Sequence, residues 1–267
     1  MAGQSLTVWL NNEGIKKKIA ERLGKNAPAF TSALASVYSG NPQLQSCDGR
    51  SILGAAFLAA TMNLSITPSL GQAYIVPFKG KAQFQVGARG YIQLAHRSGQ
   101  YTRLHAGKVY EGELRGFNPL TGEPILGEKM SEEVVGYVAY MRLVNGFEKT
   151  LYMTRSEIEE FAQKYSQSYS YDKRSGRSSS PWTTNFDAMA EKAVLKKLLR
   201  TWGVLSTELA TALAGDQSVV DRETFTYTDN GGNVQKREEV YLPEEEDLPF
   251  DAETGEVIEA EAKQADE

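Results

Sequence analysis

The chain has 267 residues, one cysteine and a formal net charge of −5. A single cysteine excludes an internal disulfide framework, so we expect a reducing compartment. Because no apolar run approaches the roughly 20 residues that cross a bilayer, and the first residues are too polar for a secretory signal, we expect a cytoplasmic protein without a membrane partner.

The net charge combines two unlike regions. Residues 216–267 carry 17 acidic and 4 basic side chains, whereas residues 1–215 carry 25 basic and 17 acidic ones. The basic body predicts a polyanionic partner, and the acidic segment, which lacks sustained periodicity, predicts a largely disordered tail.

The first third of the chain has helical periodicity. Apolar residues recur every three or four positions in 12–23 and 28–38, and Asp48 is placed to cap a helix over 48–62. We assign residues 1–67 to a helical N-terminal region that supplies a scaffold or oligomer contacts.

The middle of the chain changes to the alternating pattern of strands. Asn145-Gly146 indicates a tight hairpin turn, and the Gly- and Pro-rich residues 112–131 indicate a loop. The predicted strands are 73–78, 82–86, 101–109, 134–144 and 148–153.

The last part of the core is helical again. Thr154 and Glu157 form a capping box before a helix over 155–165, and further helices are predicted at 184–202 and 205–214. Residues 167–180 are rich in Ser, Tyr and Arg and are predicted to be mobile. The tail is aperiodic except for a hairpin that pairs residues 224–227 with 234–241.

Together these elements predict an α+β fold with a small antiparallel β-sheet and a β-hairpin packed against helices. Residues 1–67 form its helical N-terminal region, residues 68–215 its α+β core, and residues 216–267 its acidic, largely disordered tail.

Cations and aromatic residues alternate in residues 71–100. Lys79 and Lys81 flank the predicted turn between two strands, and Gln83 and Gln85 share one face of the second strand. Arg89 lies between Gly87 and Gly90, where a ligand backbone could approach closely. This combination suits a phosphate backbone with exposed bases better than a small-molecule reaction centre.

The helix over 184–202 places Lys192, Lys196 and Arg200 at successive i, i+4 spacings, with Lys197 beside them. The ordinary interpretation is the solvated face of an amphipathic helix. A stripe of four cations without a carboxylate after Glu191 favours phosphate contact instead.

Two aromatic groups leave alternatives open. Trp182 is either a core anchor or a base-stacking ring, and the tyrosines and cations of residues 165–177 form either a flexible DNA-binding flap or a soluble loop. The candidate DNA-binding residues are Lys79, Lys81, Gln83, Gln85, Arg89, Arg97, Arg103, Lys108, Trp182, Lys192, Lys196, Lys197 and Arg200.

Motifs for bond-breaking chemistry are missing from the sequence. It has no phosphate-binding Gly-x-x-x-x-Gly-Lys-[Ser/Thr] loop and no Gly-x-Gly-x-x-Gly after a strand. It contains only two histidines, and its acidic residues are scattered, so a metal site is not indicated. We therefore expect a non-enzymatic protein without ATP, cofactor or metal. The alternative is a metal-dependent DNA-processing nuclease.

Two long blocks, GQAYIVPFKGKAQFQVGARGYIQLAHRSGQY and PWTTNFDAMAEKAVLKKLLRTWGVLS, resemble the RecT family of phage and prophage single-strand annealing proteins, and the likeness extends over residues 10–206. The resemblance implies ATP-independent binding and annealing of single-stranded DNA in phage-type recombination, in the cytoplasm of a bacterial host. It also implies homo-oligomers (rings or helical filaments), a 5′→3′ exonuclease partner, and a small antiparallel sheet backed by helices.

The tail contains a second resemblance. Residues 244–250, EEEDLPF, are similar to the acidic tips of bacterial single-stranded-DNA-binding proteins. The tail is therefore expected either to contact the host single-stranded-DNA-binding protein or the groove of its own chain, or to be a solvated acidic segment without a partner.

Overall fold

A helical N-terminal part is followed by a four-stranded, a three-stranded and a two-stranded antiparallel sheet and by further helices. The computed structural model describes Leu6, Leu10, residues 13–221 and residues 224–227. Its helices in this part of the chain are α1 (Glu13–Leu23), α2 (Ala27–Ser39), α3 (Pro42–Gln45), α4 (Gly49–Thr61), α5 (Ala88–Arg97), α6 (Arg155–Tyr165), α7 (Gln167–Ser175), α8 (Pro181–Thr184), α9 (Phe186–Trp202) and α10 (Thr207–Gly215). Its strands are β1 (Ala73–Phe78), β2 (Lys81–Val86), β3 (Tyr101–Tyr110), β4 (Leu114–Phe117), β5 (Pro124–Leu126), β6 (Val134–Leu143), β7 (Glu148–Thr154), β8 (Ser218–Asp221) and β9 (Thr224–Tyr227).

Helix α4 attaches the N-terminal part to the first sheet. Asp48 caps it as predicted, because its carboxylate accepts the Ser51 backbone N–H at 3.0 Å. The Ser51 hydroxyl in turn accepts the Ala82 backbone N–H at 2.7 Å. Small, fully buried residues such as Ala55 and Ala56 let α4 pack closely against β2.

The predicted β1–β2 hairpin is confirmed. Its register pairs Ala73 with Val86 and Phe78 with Lys81. The turn consists of Lys79 and Gly80, both with positive φ (48° and 78°), which matches the twist of a two-residue hairpin.

The first sheet contains two strands that the sequence did not indicate as a pair. Its order is β1-β2-β8-β9, so β8 lies beside β2, and β9 pairs with β8. The tail was expected to be disordered from residue 216, whereas the structure places its first residues in the sheet. Residues 234–241, the other half of the predicted tail hairpin, lie outside the described residues.

The second sheet has the order β3-β6-β7, and helix α9 packs against one of its faces. Tyr137, Ala139 and Met141 alternate along β6 and are fully buried. Helix α9 also contacts α5, which follows the hairpin, so it connects the two sheets.

Residues 167–175, which were predicted to be mobile, form helix α7. Its anchor is Asp172, whose carboxylate accepts hydrogen bonds from Ser179 and Ser180 backbone N–H groups at 2.9 and 2.7 Å and from the Thr183 hydroxyl at 2.8 Å. These bonds lower the pKa of Asp172. Composition misses such an anchor because one buried carboxylate orders a polar segment that has few aliphatic side chains.

The predicted loop of residues 112–131 also contains structure. Strands β4 and β5 form a short hairpin, and Phe117 packs against Tyr152 with ring centroids 6.2 Å apart. The remaining predicted helices and strands are confirmed to within a few residues at their ends. The α+β class, with small antiparallel sheets packed against helices, is therefore confirmed.

Candidate nucleic-acid interface

Two candidate cations lie at the turn of the β1–β2 hairpin. Lys79 and Lys81 are exposed, and the Lys79 ammonium lies 5.1 Å from the centroid of the Phe78 ring. The Gly80 carbonyl accepts the Asp48 backbone N–H at 2.9 Å, so the cap of α4 fixes the turn. The fold thus holds two lysines in place at one end of the hairpin.

Gln83 and Gln85 share one face of β2 as predicted, since the Gln85 amide donates to the Gln83 side-chain oxygen at 3.0 Å. Gln83 is nevertheless only 2% exposed, and its amide donates to the Gln217 carbonyl at 2.6 Å. Gln83 is therefore an internal residue that joins β2 to β8, and the predicted open polar surface is reduced to the half-buried Gln85.

The glycines that flank Arg89 serve the packing of the chain itself. A Cβ atom at Gly87 would collide with the Gly71 carbonyl, and one at Gly90 with the Gln72 carbonyl. The backbone that approaches here is thus residues 71–72, not a ligand. Arg89 itself is exposed.

Arg97 is held by the end of α4. Its guanidinium donates to the Met62 and Asn63 carbonyls, each at 2.7 Å. These carbonyls follow the last turn of α4 and otherwise lack helical partners, so Arg97 caps a helix rather than offering a fully available cation.

Lys192 and Lys196 converge on a buried carboxylate. The Asp216 oxygens lie 3.7 Å from the Lys192 ammonium and 2.5 Å from the Lys196 ammonium, and one also accepts the Val86 backbone N–H at 2.8 Å. The side chain of Asp216 is 1% exposed, that of Lys192 13% and that of Lys196 25%. The i, i+4 spacing does place both lysines on one side of α9, but that side faces the interior.

Burial and charge act in opposite directions at this cluster. Burial would raise the pKa of Asp216, but Lys192 and Lys196 lower it to about 2. Burial lowers the pKa of Lys192, and the Asp216 carboxylate partly opposes that effect. The cluster therefore joins α9 to the end of β2 as an internal ion pair.

The other two cations of the α9 stripe are exposed. The Lys197 ammonium lies 3.8 Å from the Met153 sulfur, and Arg200 is in the last turn of the helix. These two, and not Lys192 and Lys196, are the α9 cations most open to a phosphate.

The two candidates on β3 differ in their surroundings. Arg103 is exposed opposite Arg142. Lys108 pairs with Asp187 at 2.5 Å, and Tyr137 donates to the same carboxylate at 2.6 Å. The Asp187 hydrogen bond raises the pKa of Lys108, and Lys108 lowers that of Asp187.

Trp182 is a core anchor. It is 6% exposed and packs against Phe161, Tyr169 and Phe186, with ring centroids 5.6 to 6.4 Å apart. The alternative interpretation, a base-stacking ring, is wrong for this fold because no open ring face remains.

The candidate DNA-binding residues therefore do not form one continuous exposed surface. Lys81 and Val86 end the same strand, so the cations at the turn and the Asp216 cluster are about 17 Å apart along β2. The exposed candidate cations are Lys79, Lys81, Arg89, Arg97, Arg103, Lys108, Lys197 and Arg200.

Asp216 is hidden as a site residue in the sequence because it is the first residue of the acidic segment. A signal was present: Lys192 and Lys196 are interleaved with Ala193, Leu195 and Leu199 on a helix whose apolar side must be buried. Lysines in such a position need a counter-ion.

Within residues 13–221, Leu6, Leu10 and 224–227, no three His, Cys, Asp or Glu side chains are grouped so that they could hold a metal ion. None of the helices in the described part of the chain is long and apolar enough to span a bilayer.

Comparison with known proteins gives consistent results. The chain is 40% identical over 226 residues to uncharacterized protein YqaK of Bacillus subtilis (strain 168), covering 84% of this chain and 76% of the relative. It is 29% identical to Protein RecT of Escherichia coli (strain K12), covering 78% of this chain and 79% of that protein. The RecT family model matches residues 28–231, which include strands β1 to β9, helices α3 to α10 and all but the first residue of α2, so the chain belongs to the RecT family.

Proposed function

We propose that this protein binds single-stranded DNA and anneals complementary strands without hydrolysing a nucleotide, as an oligomer on DNA. The observation that carries the proposal is the family match over residues 28–231. The exposed cations on the hairpin turn and on α9 support it, because an annealing protein must neutralise phosphates.

The residues that contact phosphates in this proposal are exposed cations on the hairpin turn, α5, β3 and α9. They are Lys79, Lys81, Arg89, Arg103, Lys197 and Arg200. Lys192 and Lys196 have an indirect role, because they position α9 through Asp216.

The strand is held by its phosphates while its bases remain available. Base pairing with a second strand then supplies both specificity and driving force, so the reaction needs no ATP. Protomers side by side would make the binding surface continuous. A 5′→3′ exonuclease that produces the single strand, and contact of the tail with the host single-stranded-DNA-binding protein, stay predictions.

The test is an annealing assay on a variant in which Lys79, Lys81, Lys197 and Arg200 are changed to Glu. We expect loss of annealing, and the salt dependence of single-strand binding should flatten by about 2.8 in log–log slope, roughly 0.7 for each phosphate contact. Reversing Lys192 or Lys196 is unsuitable, because it would place two carboxylates together in the interior.

A matched control reverses four other exposed cations, Arg115, Lys129, Arg155 and Lys164, which lie outside residues 1–67. This control should anneal like the unaltered protein. Equal annealing by both variants would refute the assigned residues, and no strand binding by the unaltered protein would refute the function. Shortening of the strands when Mg²⁺ is added would instead support the nuclease alternative.

A further inference from the structure

An exposed aromatic patch lies where the β6–β7 turn meets the end of α9. We define it by Val144, Phe147, Lys149, Trp202, Val204 and Leu205. Its apolar members are between 40% and 56% exposed, and Trp202 is 45% exposed. The apolar pattern of α9 predicts that Trp202 is buried, whereas the structure leaves its ring exposed.

The fold fixes this patch from three directions. The Tyr101 hydroxyl donates to the Val204 carbonyl at 2.9 Å, and the Val144 backbone N–H donates to the Gln100 carbonyl at 3.0 Å. The Leu143 N–H donates to the Phe147 carbonyl at 2.8 Å, which closes the turn. The rings are therefore on rigid elements and do not need to be ordered when a ligand binds.

The patch combines π-faces with positive charge. The Phe147 and Trp202 rings are 6.4 Å apart with an interplanar angle of 27°, and the Lys149 ammonium lies 4.8 Å from the Trp202 centroid. Arg200 is exposed two residues before Trp202. The neighbouring acid, Glu148, is engaged by Arg142 and Tyr140, at 3.2 and 2.7 Å, and so does not neutralise Lys149.

We propose that Trp202 and Phe147 stack an unpaired base of single-stranded DNA while Lys149 and Arg200 contact the adjacent phosphates. Single-stranded DNA presents aromatic faces and negative charges at this spacing, and stacking tolerates any base sequence. A second copy of the chain fits less well, because a two-fold contact through the same patch would bring Lys149 and Arg200 against their equivalents. The proposal rests on the proposed DNA-binding function.

The test compares Trp202→Ala, Trp202→Phe and Leu126→Ala in full-length protein binding to a labelled thymidine oligonucleotide. Trp202→Ala should weaken binding by about 5- to 150-fold, the effect of one stacked base, with an unchanged salt slope. Trp202→Phe should retain most of the affinity, and Leu126→Ala, which removes exposed apolar area outside the patch, should bind normally.

Two further measurements separate stacking from other roles. Trp202→Ala should not alter binding of an abasic strand, whereas changing Lys149 and Arg200 to Ala should flatten the salt slope by about 1.4. Thermal unfolding and the sedimentation of each variant without DNA should match those of the unaltered protein.

Several results would overturn the inference. The first is equal binding by Trp202→Ala and the unaltered protein. The second is that Trp202→Ala loses as much affinity for the abasic strand as for the intact one. The third is that Trp202→Ala forms a smaller oligomer without DNA, which would make the patch a subunit interface. In the first case the proposed annealing function still stands. It fails only if the unaltered protein does not bind the strand.

Discussion

At the scale of single residues, Asp216 controls the junction between the first sheet and α9. It neutralises two partly buried lysines and accepts the last backbone N–H of β2. Removing one member of such a cluster leaves the remaining charges in a poorly solvated place. Removing one member therefore lowers the free energy of unfolding by more than the intact ion pair contributes to it.

We expect Asp216→Ala to lower the free energy of unfolding by about 3–5 kcal/mol, the cost of an uncompensated buried charge. Urea unfolding measures it. Adding Lys192→Met should recover part of the loss, because the stranded ammonium is then gone. Glu160→Ala, at an exposed position of α6, should change stability by less than about 0.5 kcal/mol. Equal effects at residues 160 and 216 would contradict the role of Asp216.

The lowered pKa of Asp216 predicts that the protein loses folding stability in acid. Because Asp216 has a folded pKa of about 2 and an ordinary unfolded value near 4, the unfolded chain takes up the proton first as pH falls. The stabilisation is complete above about pH 4, and roughly 2 kcal/mol of it is lost between pH 4 and pH 2. Unfolding midpoints across this range should therefore fall more steeply in the unaltered protein than in Asp216→Asn.

At the scale of elements, the hairpin turn offers a substitution that should increase stability and weaken DNA binding. Lys79 has a φ of 48°, a conformation that costs lysine roughly 1 kcal/mol and suits asparagine better. Lys79→Asn should raise the free energy of unfolding by about 0.5–1 kcal/mol and lower the salt slope of DNA binding by about 0.7. Denaturant unfolding and salt titration measure the two effects, and a loss of stability would contradict the turn assignment.

Gly80→Ala is the control for that turn. Gly80 has a φ of 78°, and an added Cβ would meet open space, so any destabilisation must come from backbone conformation alone. The variant should lose about 1 kcal/mol and keep the DNA affinity per folded molecule.

Local patterns were sufficient for elements whose stability is local. The β1–β2 hairpin, the Asp48 cap and the Thr154–Glu157 capping box all follow from residues a few positions apart. Helix α7 was missed because its anchor, Asp172, bonds residues 7 to 11 positions further on, beyond the reach of a local helical pattern. Strand β8 was missed because it depends on the edge of β2, which is remote in the chain.

The same distinction applies to the candidate site. The sequence identifies cations, but their availability depends on partners remote in the chain. Arg97 binds carbonyls about 35 residues away, and Lys196 pairs with a carboxylate 20 residues away. Trp202 appeared buried from periodicity because a helix end leaves the core before its apolar pattern stops.

At the scale of the whole molecule, the fold continues past the start of the acidic segment. A protein ending at residue 231, where the family match ends, should unfold at nearly the same temperature as the full chain. A protein ending at residue 215 lacks Asp216 and β8, so it should lose several kcal/mol, at least the 3–5 kcal/mol of the broken ion pair. Thermal unfolding of the two truncations decides this, and equal melting temperatures would contradict the sheet order.

The pairing of β2 with β8 also affects how the protein is made. The Gln83 and Val86 partners in the C-terminal strand segment are 134 and 130 residues further along the chain. At translation rates of about 5–20 residues per second, the outer edge of β2 stays uncovered for roughly 7–26 seconds after synthesis of the hairpin. During that interval neighbouring nascent chains on one message present the same bare edge, so their early association is a competing reaction that slower translation would favour.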